Sequence, residues 1–454
     1  MAENPPPPRP LGPIRPLRPR HHPPVAGEIS RTDADLPADA RRARLRTAAV
    51  AASISGTRPS SPSLVATAQG AIARLLLTIP SYAVEGGEAN PYGVVYRDLI
   101  AKLPAQTELV ILTHDAVADE VRGWLAAAGR TAPDRDTVVA TDDFLGFSVW
   151  AEDAYVVIAD GAGTGGEHAF VEPAAFPRYG DALVADQVST AAQLGLFQAP
   201  LHLQGGNVLI GDDFFFIGID YPLATFEEGI LTAPTQAGED ALLREVYRRY
   251  LDAERTFVPV GTTLPVPAAA RRPFALDGEN WVEEIYAGNA PGTRQPIFHI
   301  DMFVSLAGRG ADGRYRVLVG DPREAARLTG EPLQPHAMAA VFDDIARDLG
   351  RRGYAVARTP LPLVYSDDES ARVRSWYFAT SNNVLVHAPG GARPTVYLPT
   401  YAHGPFADTL AATDRRNAEI WQGLGYDVVA LGDFHPFAIN LGAAHCIKKY
   451  LARG

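Results

Sequence analysis

Phe298-His299-Ile300-Asp301-Met302-Phe303 alternates apolar and polar side chains with the period of a β-strand. On a strand, His299 and Asp301 share one face while Phe298, Ile300 and Met302 point into a core. An imidazole beside a carboxylate, rooted in apolar residues, is a candidate acid/base pair. The plainer alternative is a half-buried histidine next to a surface aspartate. Outward from this segment, from about Ser63 onward, short β-rich runs alternate with amphipathic helices. Strands are expected at 108–113, 155–159, 208–210, 214–219, 315–319, 375–378, 396–398 and 427–431. Gly211-Asp212-Asp213 supplies the turn of a hairpin over 208–219. Leu242, Leu243, Val246, Tyr247, Tyr250 and Leu251 line one face of a helix. Val341, Phe342, Ile345 and Leu349 repeat that spacing, with Gly350 where a C′ glycine belongs. A third helix is expected over 406–424. This alternation predicts an α/β architecture.

At 454 residues and 46% apolar content, the chain can bury a large core. Ten of its first 24 residues are proline, interleaved with Arg9, Arg15, Arg18 and Arg20. Proline fixes φ and removes donors, so residues 1–60 read as a disordered Pro/Arg-rich tail and 61–454 as the catalytic domain. Residues 1–48 hold nine Arg against five acidic groups, a net of +4; the overall charge of −12 therefore leaves −16 on the remainder. An acidic body argues against a nucleic-acid partner and suits a cationic substrate. No run reaches the roughly 18 apolar residues of a membrane span. The segment 48–54 is too short and too far from the start for a signal sequence. With one cysteine an internal disulfide is impossible, and a reducing, cytoplasmic setting is expected. Gly161, Gly163 and Gly166 match GxGxxG, but Pro173 and Pro177 interrupt the helix that should follow, so the stretch reads as a loop and not as a nucleotide site.

The lone cysteine, Cys446, closes the run Asn440-Leu441-Gly442-Ala443-Ala444-His445-Cys446, whose small residues would let a substrate approach the thiol. A lone cysteine is otherwise most often an inert core residue. Trp150-Ala151-Glu152-Asp153 places an acid near an aromatic. Gln204-Gly205-Gly206-Asn207 and Asn382-Asn383 each precede an apolar run and read equally well as turns. Together these segments meet the needs of an enzyme that cleaves a guanidinium C–N bond. Such an enzyme needs a thiolate to attack the central carbon, carboxylates to grip the forked N–H donors, and a histidine to move protons. Cys446, Asp153, Asp301 and His299 would supply these groups.

The order W-x-x-D, G-G-N, H-I-D-x-F, N-x-x-x-V and G-x-x-H-C, running from Trp150 to Cys446, resembles the guanidino-group-modifying (pentein) superfamily, nearest to its bacterial peptidylarginine deiminases and agmatine deiminases. The resemblance implies a five-bladed pseudo-symmetric α/β propeller of ββαβ-like modules around a central site. It implies Cys446 as nucleophile, His299 as general acid/base, and Asp153 and Asp301 as guanidinium clamps. Asn382, with Asn383 an equal-looking choice, would order the site near the thiol. Trp150 would line the entrance, and Gly205, Gly206 and Asn207 would shape the substrate floor. No metal or organic cofactor is implied. The expected partner is an arginine-containing peptide or a small guanidine; oligomeric state leaves no trace in the sequence. Departures are Glu152 for the usual Arg, the missing Gly-Pro after Asp153, Gln204 for the Glu that pairs with the histidine, and Gly-Ala-Ala-His before the thiol. They tilt the expectation from agmatine to peptidyl-arginine. Rival readings are an agmatine deiminase, an amidinotransferase, a silent binding protein of the same fold, and a cysteine protease.

Overall fold

The computed structural model describes residues 58–130, 135–161 and 167–454. The expected tail, apart from its last three residues, lies outside the described residues, as do Gly163 and Gly166. One pattern recurs five times: an antiparallel strand pair, one or two helices, then a strand parallel to the second of the pair. Val156–Asp160 and Glu167–Glu172 form the first pair, followed by a helix at Val184–Ala192 and the parallel strand Gly195–Gln198. A strand follows the glycine stretch where a nucleotide-binding helix would have to stand. The second unit has Val208–Ile210 and Phe214–Gly218, helices Asp220–Glu227 and Gln236–Tyr250, and Thr256–Val260. The third has Val304–Arg309 and Tyr315–Asp321, helices Pro322–Thr329 and Ala339–Arg351, and Ala355–Pro360. The fourth has Leu385–His387 and Thr395–Thr400, helix Ala407–Gly423, and Asp427–Asp433. In the fifth the chain returns: Lys448–Arg453 pairs antiparallel with Ile72–Ile79, followed by helix Pro91–Lys102 and Glu108–His114. Parallel pairing demands such a helical crossover, which explains the alternation seen in the sequence.

The helices form where their apolar spacing requires. Leu243, Val246, Tyr247 and Tyr250 are buried on one face of Gln236–Tyr250, and Thr235 caps it by accepting from Gly238 N. Ala339–Arg351 runs past Gly350, so the expected stop is corrected: the left-handed glycine after this helix is Gly353, at φ 96°. A sixth sheet lies outside the repeat. Ala270–Leu276 and Glu279–Ile285 pair as a hairpin, and Glu279–Ile285 runs parallel to Val373–Phe378, which pairs in turn with Leu363–Asp368. The expected strand at 375–378 belongs here and not to a repeat unit. Among the described residues no helix is long and apolar enough to cross a membrane.

The fifth unit joins the two ends of the described chain. Leu451 on its last strand is fully buried against Val110, Leu112, Val157 and neighbouring apolar side chains. Leu451→Ala should cost about 2–5 kcal/mol, the usual range for a leucine truncated in a packed core. Chemical denaturation checks this; a loss below about 1 kcal/mol would mean that this seam does not hold the fold together.

Candidate active site

His299 and Asp301 do not lie on a strand, which corrects the sequence expectation. Ile297 and Phe298 adopt positive φ (55° and 62°), and Ile300–Met302 is a single 3-10 turn. Side chains satisfy the backbone in place of a neighbouring strand. Asn207 Oδ1 accepts from Ile300 N at 3.1 Å and from Gln295 Nε2 at 2.9 Å, and Gln295 Nε2 also donates to Phe298 O. The inside/outside division survives in part. Ile300, Met302 and Phe303 enter the main core. Phe298, half-buried, packs against the edge of that core, and its ring stacks on that of His299 with centroids 3.9 Å apart. Asn207, whose Nδ2 donates to Gly218 O, thus holds the loop that carries His299 and has its polar groups spent on the protein. It was expected to touch substrate, and the structure places it one step behind.

The two glycines before Asn207 make the site possible. A Cβ on Gly206 would stand 2.6 Å from His299 Nδ1 and 3.2 Å from both Asp153 Oδ1 and Asp301 Oδ2, so only glycine leaves these three groups facing one another. A Cβ on Gly205 would strike Glu152 O at 2.0 Å; this residue packs behind the site, not on its floor. His299 Nδ1 is 3.6 Å from Asp153 Oδ1. Its Nε2 lies 2.9 Å from Gln204 Oε1 and 2.8 Å from the hydroxyl of Tyr221.

Cys446 completes the group. Its Sγ is 3.4 Å from Asp301 Oδ2 and accepts from Asn383 Nδ2 at 3.1 Å. Asn383 Oδ1 accepts from the backbone N–H of both His445 and Cys446, so this one side chain fixes the thiol and its loop. Asn382 points elsewhere, to Thr359 and Ser305, so of the two it is Asn383 that contacts the thiol. His445 Nδ1 lies 2.9 Å from the same Asp301 oxygen. Trp150 does not line an entrance. It is buried with Phe437 under the cysteine loop, and Gly442 is needed because a Cβ there would stand 2.2 Å from the indole. Gly442 therefore serves packing, not access to the thiol. Cys446 is 2% exposed, and His299 and Asp301 are 1%.

Charge in this dry region is arranged in chains. Arg178 donates to Asp153 Oδ2 at 2.6 Å and to Asp181 at 2.5 Å. Glu152 is clamped by Lys448 Nζ at 2.7 Å and Lys449 Nζ at 2.8 Å. Burial opposes the Glu152 charge, but the two lysines win and hold its carboxyl near a pKa of about 2. Burial also pushes the Cys446 thiol well up, helped by Asp301 and Asp153 and opposed by Asn383. It drives His299 down to about 3 despite Asp301. These shifts favour a neutral thiol and a neutral imidazole. Burial raises Asp153 too, with Arg178 pulling the other way. Two buried carboxylate oxygens, Asp153 Oδ1 and Asp301 Oδ1, have no hydrogen-bond donor among the described residues.

Arg178, Tyr221, Lys448 and Lys449 were not singled out from the sequence. Only the lysine pair gave a signal: two consecutive cations are unusual at the buried start of a strand. Arg178 and Tyr221 sit in stretches without periodicity or motif.

No sequence-family profile matches the chain, and no curated protein sequence does. Solved structures do. An agmatine deiminase of C. jejuni superposes with a TM-score of 0.52 at 12% identity, covering 87% of this chain and 96% of that one. An agmatine deiminase of Enterococcus faecalis gives 0.56 at 13% identity, covering 87% and 97%. At such identities the likeness is one of fold, and it extends over nearly all of the described residues. The chain shares the fold of these agmatine deiminase structures.

Proposed function

We propose that the chain is a guanidine deiminase, its five units forming a pseudo-symmetric propeller around the site, with Cys446 as nucleophile. The observation that carries this reading is the pair of donorless buried carboxylate oxygens, on Asp153 and Asp301, beside the only thiol. Buried acceptors of that kind call for N–H donors on a cation, and a planar guanidinium supplies both. Formal charge agrees. Glu152, Asp153, Asp181 and Asp301 face Arg178, Lys448 and Lys449, four negative against three positive, so one bound cation balances the site.

The steps follow from the groups present. Binding of the guanidinium offsets the two carboxylates that hold the thiol neutral, and Cys446 loses its proton to His299 as Sγ bonds to the central carbon. His299 returns that proton to the departing nitrogen, the C–N bond breaks, and ammonia leaves a cationic thiouronium on Cys446. Water then gives a proton to His299 and adds to the carbon. The C–S bond breaks, the new hydroxyl gives its proton to the departing sulfur to restore the thiol, the neutral ureido product leaves, and His299 releases the proton taken from water to solvent, where ammonia takes it up. This scheme uses no metal or organic cofactor, and a cytoplasmic, reducing setting would keep its thiol intact.

The substrate is a short alkylguanidine such as agmatine. The nearly sealed site, with Phe298 stacked over His299, favours a slim substrate over a polypeptide, and the named fold relatives are agmatine deiminases. Peptidyl-arginine is the second reading, favoured by the departures from the agmatine deiminase pattern around Asp153.

A colorimetric ureido assay with agmatine, free arginine and blocked arginyl peptides decides between them. Agmatine should give product, and Cys446→Ala should abolish it. Product from the peptide alone would reverse the substrate choice, and none from any guanidine in folded protein would sink the deiminase reading. Asn383→Ala should lower kcat by about 10–100-fold, the scale of a misplaced reacting group. Asn382→Ala should instead cost stability, about 1–3 kcal/mol for a buried hydrogen-bonded amide, with kcat changed only a few-fold. Kinetics and denaturation of the two variants, side by side, check the assignment.

A further inference from the structure

Tyr221 was not a candidate from the sequence, yet it touches the imidazole on which the proposed chemistry turns. Its hydroxyl lies 2.8 Å from His299 Nε2, while Gln204 Oε1 lies 2.9 Å from the same atom. The Tyr221 ring meets the imidazole edge-on, centroids 5.8 Å apart at 83°. The placement is built in. Asp220, the preceding residue, accepts from Arg294 N at 2.7 Å and from the Thr293 hydroxyl, both on the segment leading to His299. Thr225 ties the same helix down through Tyr221 O, and accepts from His202 N at 3.0 Å. Helix Asp220–Glu227 and the His299 loop are thus fastened together at two points, and the tyrosine is held against the ring.

The hydrogen-bond inventory fixes what this does. Gln204 turns its amide oxygen to the ring, and an amide oxygen only accepts, so in this arrangement Nε2 carries the hydrogen. One N–H shared between two oxygens is ordinary, whereas two donors could not share the single lone pair of a bare Nε2. The lone pair is left on Nδ1, the nitrogen that faces Gly206 and Asp153 Oδ1, with Asp301 Oδ2, the neighbour of the Cys446 thiol, close to the same glycine. We propose that Tyr221, together with Gln204, is a positioning residue that fixes His299 as the Nε2–H tautomer and presents Nδ1 as the proton acceptor of the reaction. The proposal rests on the deiminase reading for its catalytic consequence, but not for the tautomer itself.

The chemistry of the two acceptors has a further consequence. Both are neutral: the Tyr221 hydroxyl is held well above its usual pKa by burial, and Gln204 carries no charge. Around His299 stand Asp153, Asp301 and Glu152 on one side of the balance and Arg178 and His445 on the other, with the neutral thiol of Cys446 nearby. Two neutral acceptors steady the imidazolium formed in each half-reaction without adding a charge on the Nε2 side of the ring. The proton taken up on Nδ1 is then readily returned to the leaving nitrogen. A glutamate at position 204 would add a negative charge at Nε2 and favour the imidazolium.

Histidine 15N NMR reads the tautomer directly in the intact protein, with the His299 signals assigned by their loss in His299→Ala. The free enzyme should show His299 neutral and protonated on Nε2 at pH 6. Tyr221→Phe should shift the ring toward a tautomer mixture and lower kcat about 10-fold, the size of one net hydrogen bond, with KM within about twofold. Gln204→Glu should make His299 titrate within the accessible pH range. Because Nδ1 must be free to accept, activity is lost as pH falls through the His299 pKa, so the acid limb of kcat/KM should move up by at least about one unit. A merely structural tyrosine would change stability and leave tautomer, KM/kcat split and pH limb in place. A wild-type ring protonated on Nδ1, or a Tyr221→Phe variant with tautomer and kcat unchanged, overturns the inference. If wild-type protein makes no ureido product from any guanidine, the deiminase reading falls, and the NMR result decides this one by itself.

Discussion

Glu152 carries a full charge in the interior, and the way that charge is met holds the site together. Its carboxylate takes Lys448 on one oxygen and Lys449 on the other, and its backbone N–H donates to Cys446 O at 3.1 Å. The segment that presents Asp153 is thereby locked to the strand that follows the thiol, across almost 300 residues of chain. Such a triad adds little net stability, because desolvating three charges offsets most of their attraction, but removing one member leaves a buried charge unmet at a cost of about 3–5 kcal/mol. It acts as a register mark: only one alignment of the two segments satisfies all three groups. It also accounts for the acid at position 152, where the resemblance led to an arginine. Two lysines on the facing strand supply the opposite sign.

How much of this could be read in advance depended on range. The hairpin at Val208–Gly218 and the three long helices follow from periodicity and turn residues, which are local. The pairs His299/Asp301, Gly205/Gly206 and His445/Cys446 were visible because each carries its chemistry in adjacent or near-adjacent residues. Choosing between Asn382 and Asn383 was another matter. Neighbours on an irregular segment face different ways, and only packing against Ser305 or against the cysteine loop assigns the roles. Arg178 reaches Asp153 over 25 positions and Tyr221 reaches His299 over 78, with nothing in their surroundings to mark them. The sixth sheet, apart from its strand at 375–378, was missed for a related reason. Its hairpin 270–285 exposes much of both strands, and its proline and interspersed charges blur the alternation that betrays a half-buried strand.

The strain in the site has a local cause and a local remedy. Ile297, Phe298 and Leu441 hold positive φ, unfavourable for side chains with a Cβ and most of all for a β-branched one. All three flank the proposed site: two precede His299 and one precedes Gly442. The Asn207–Gln295 network offsets the cost by satisfying the backbone of the first loop, and Trp150 packed on Gly442 supports the second. In return, the Phe298 ring is brought over the imidazole and water is kept from the carboxylates. Exclusion of water strengthens every charge interaction within.

On the proposed reading, that dryness also makes activation depend on the right ligand. Without a cation, burial and two carboxylates keep the thiol protonated, so it is a poor nucleophile and a poor target for oxidants. A guanidinium changes the sign of the local field at the moment it arrives, because its charge offsets the very groups that hold the proton on sulfur. A neutral analogue of the same shape would gain hydrogen bonds but leave the thiol as it was, so binding and activation are selected by one property. The same logic runs in reverse at the end of the cycle. The ureido product is uncharged, no longer balances Asp153 and Asp301, and leaves behind a site whose thiol takes its proton back.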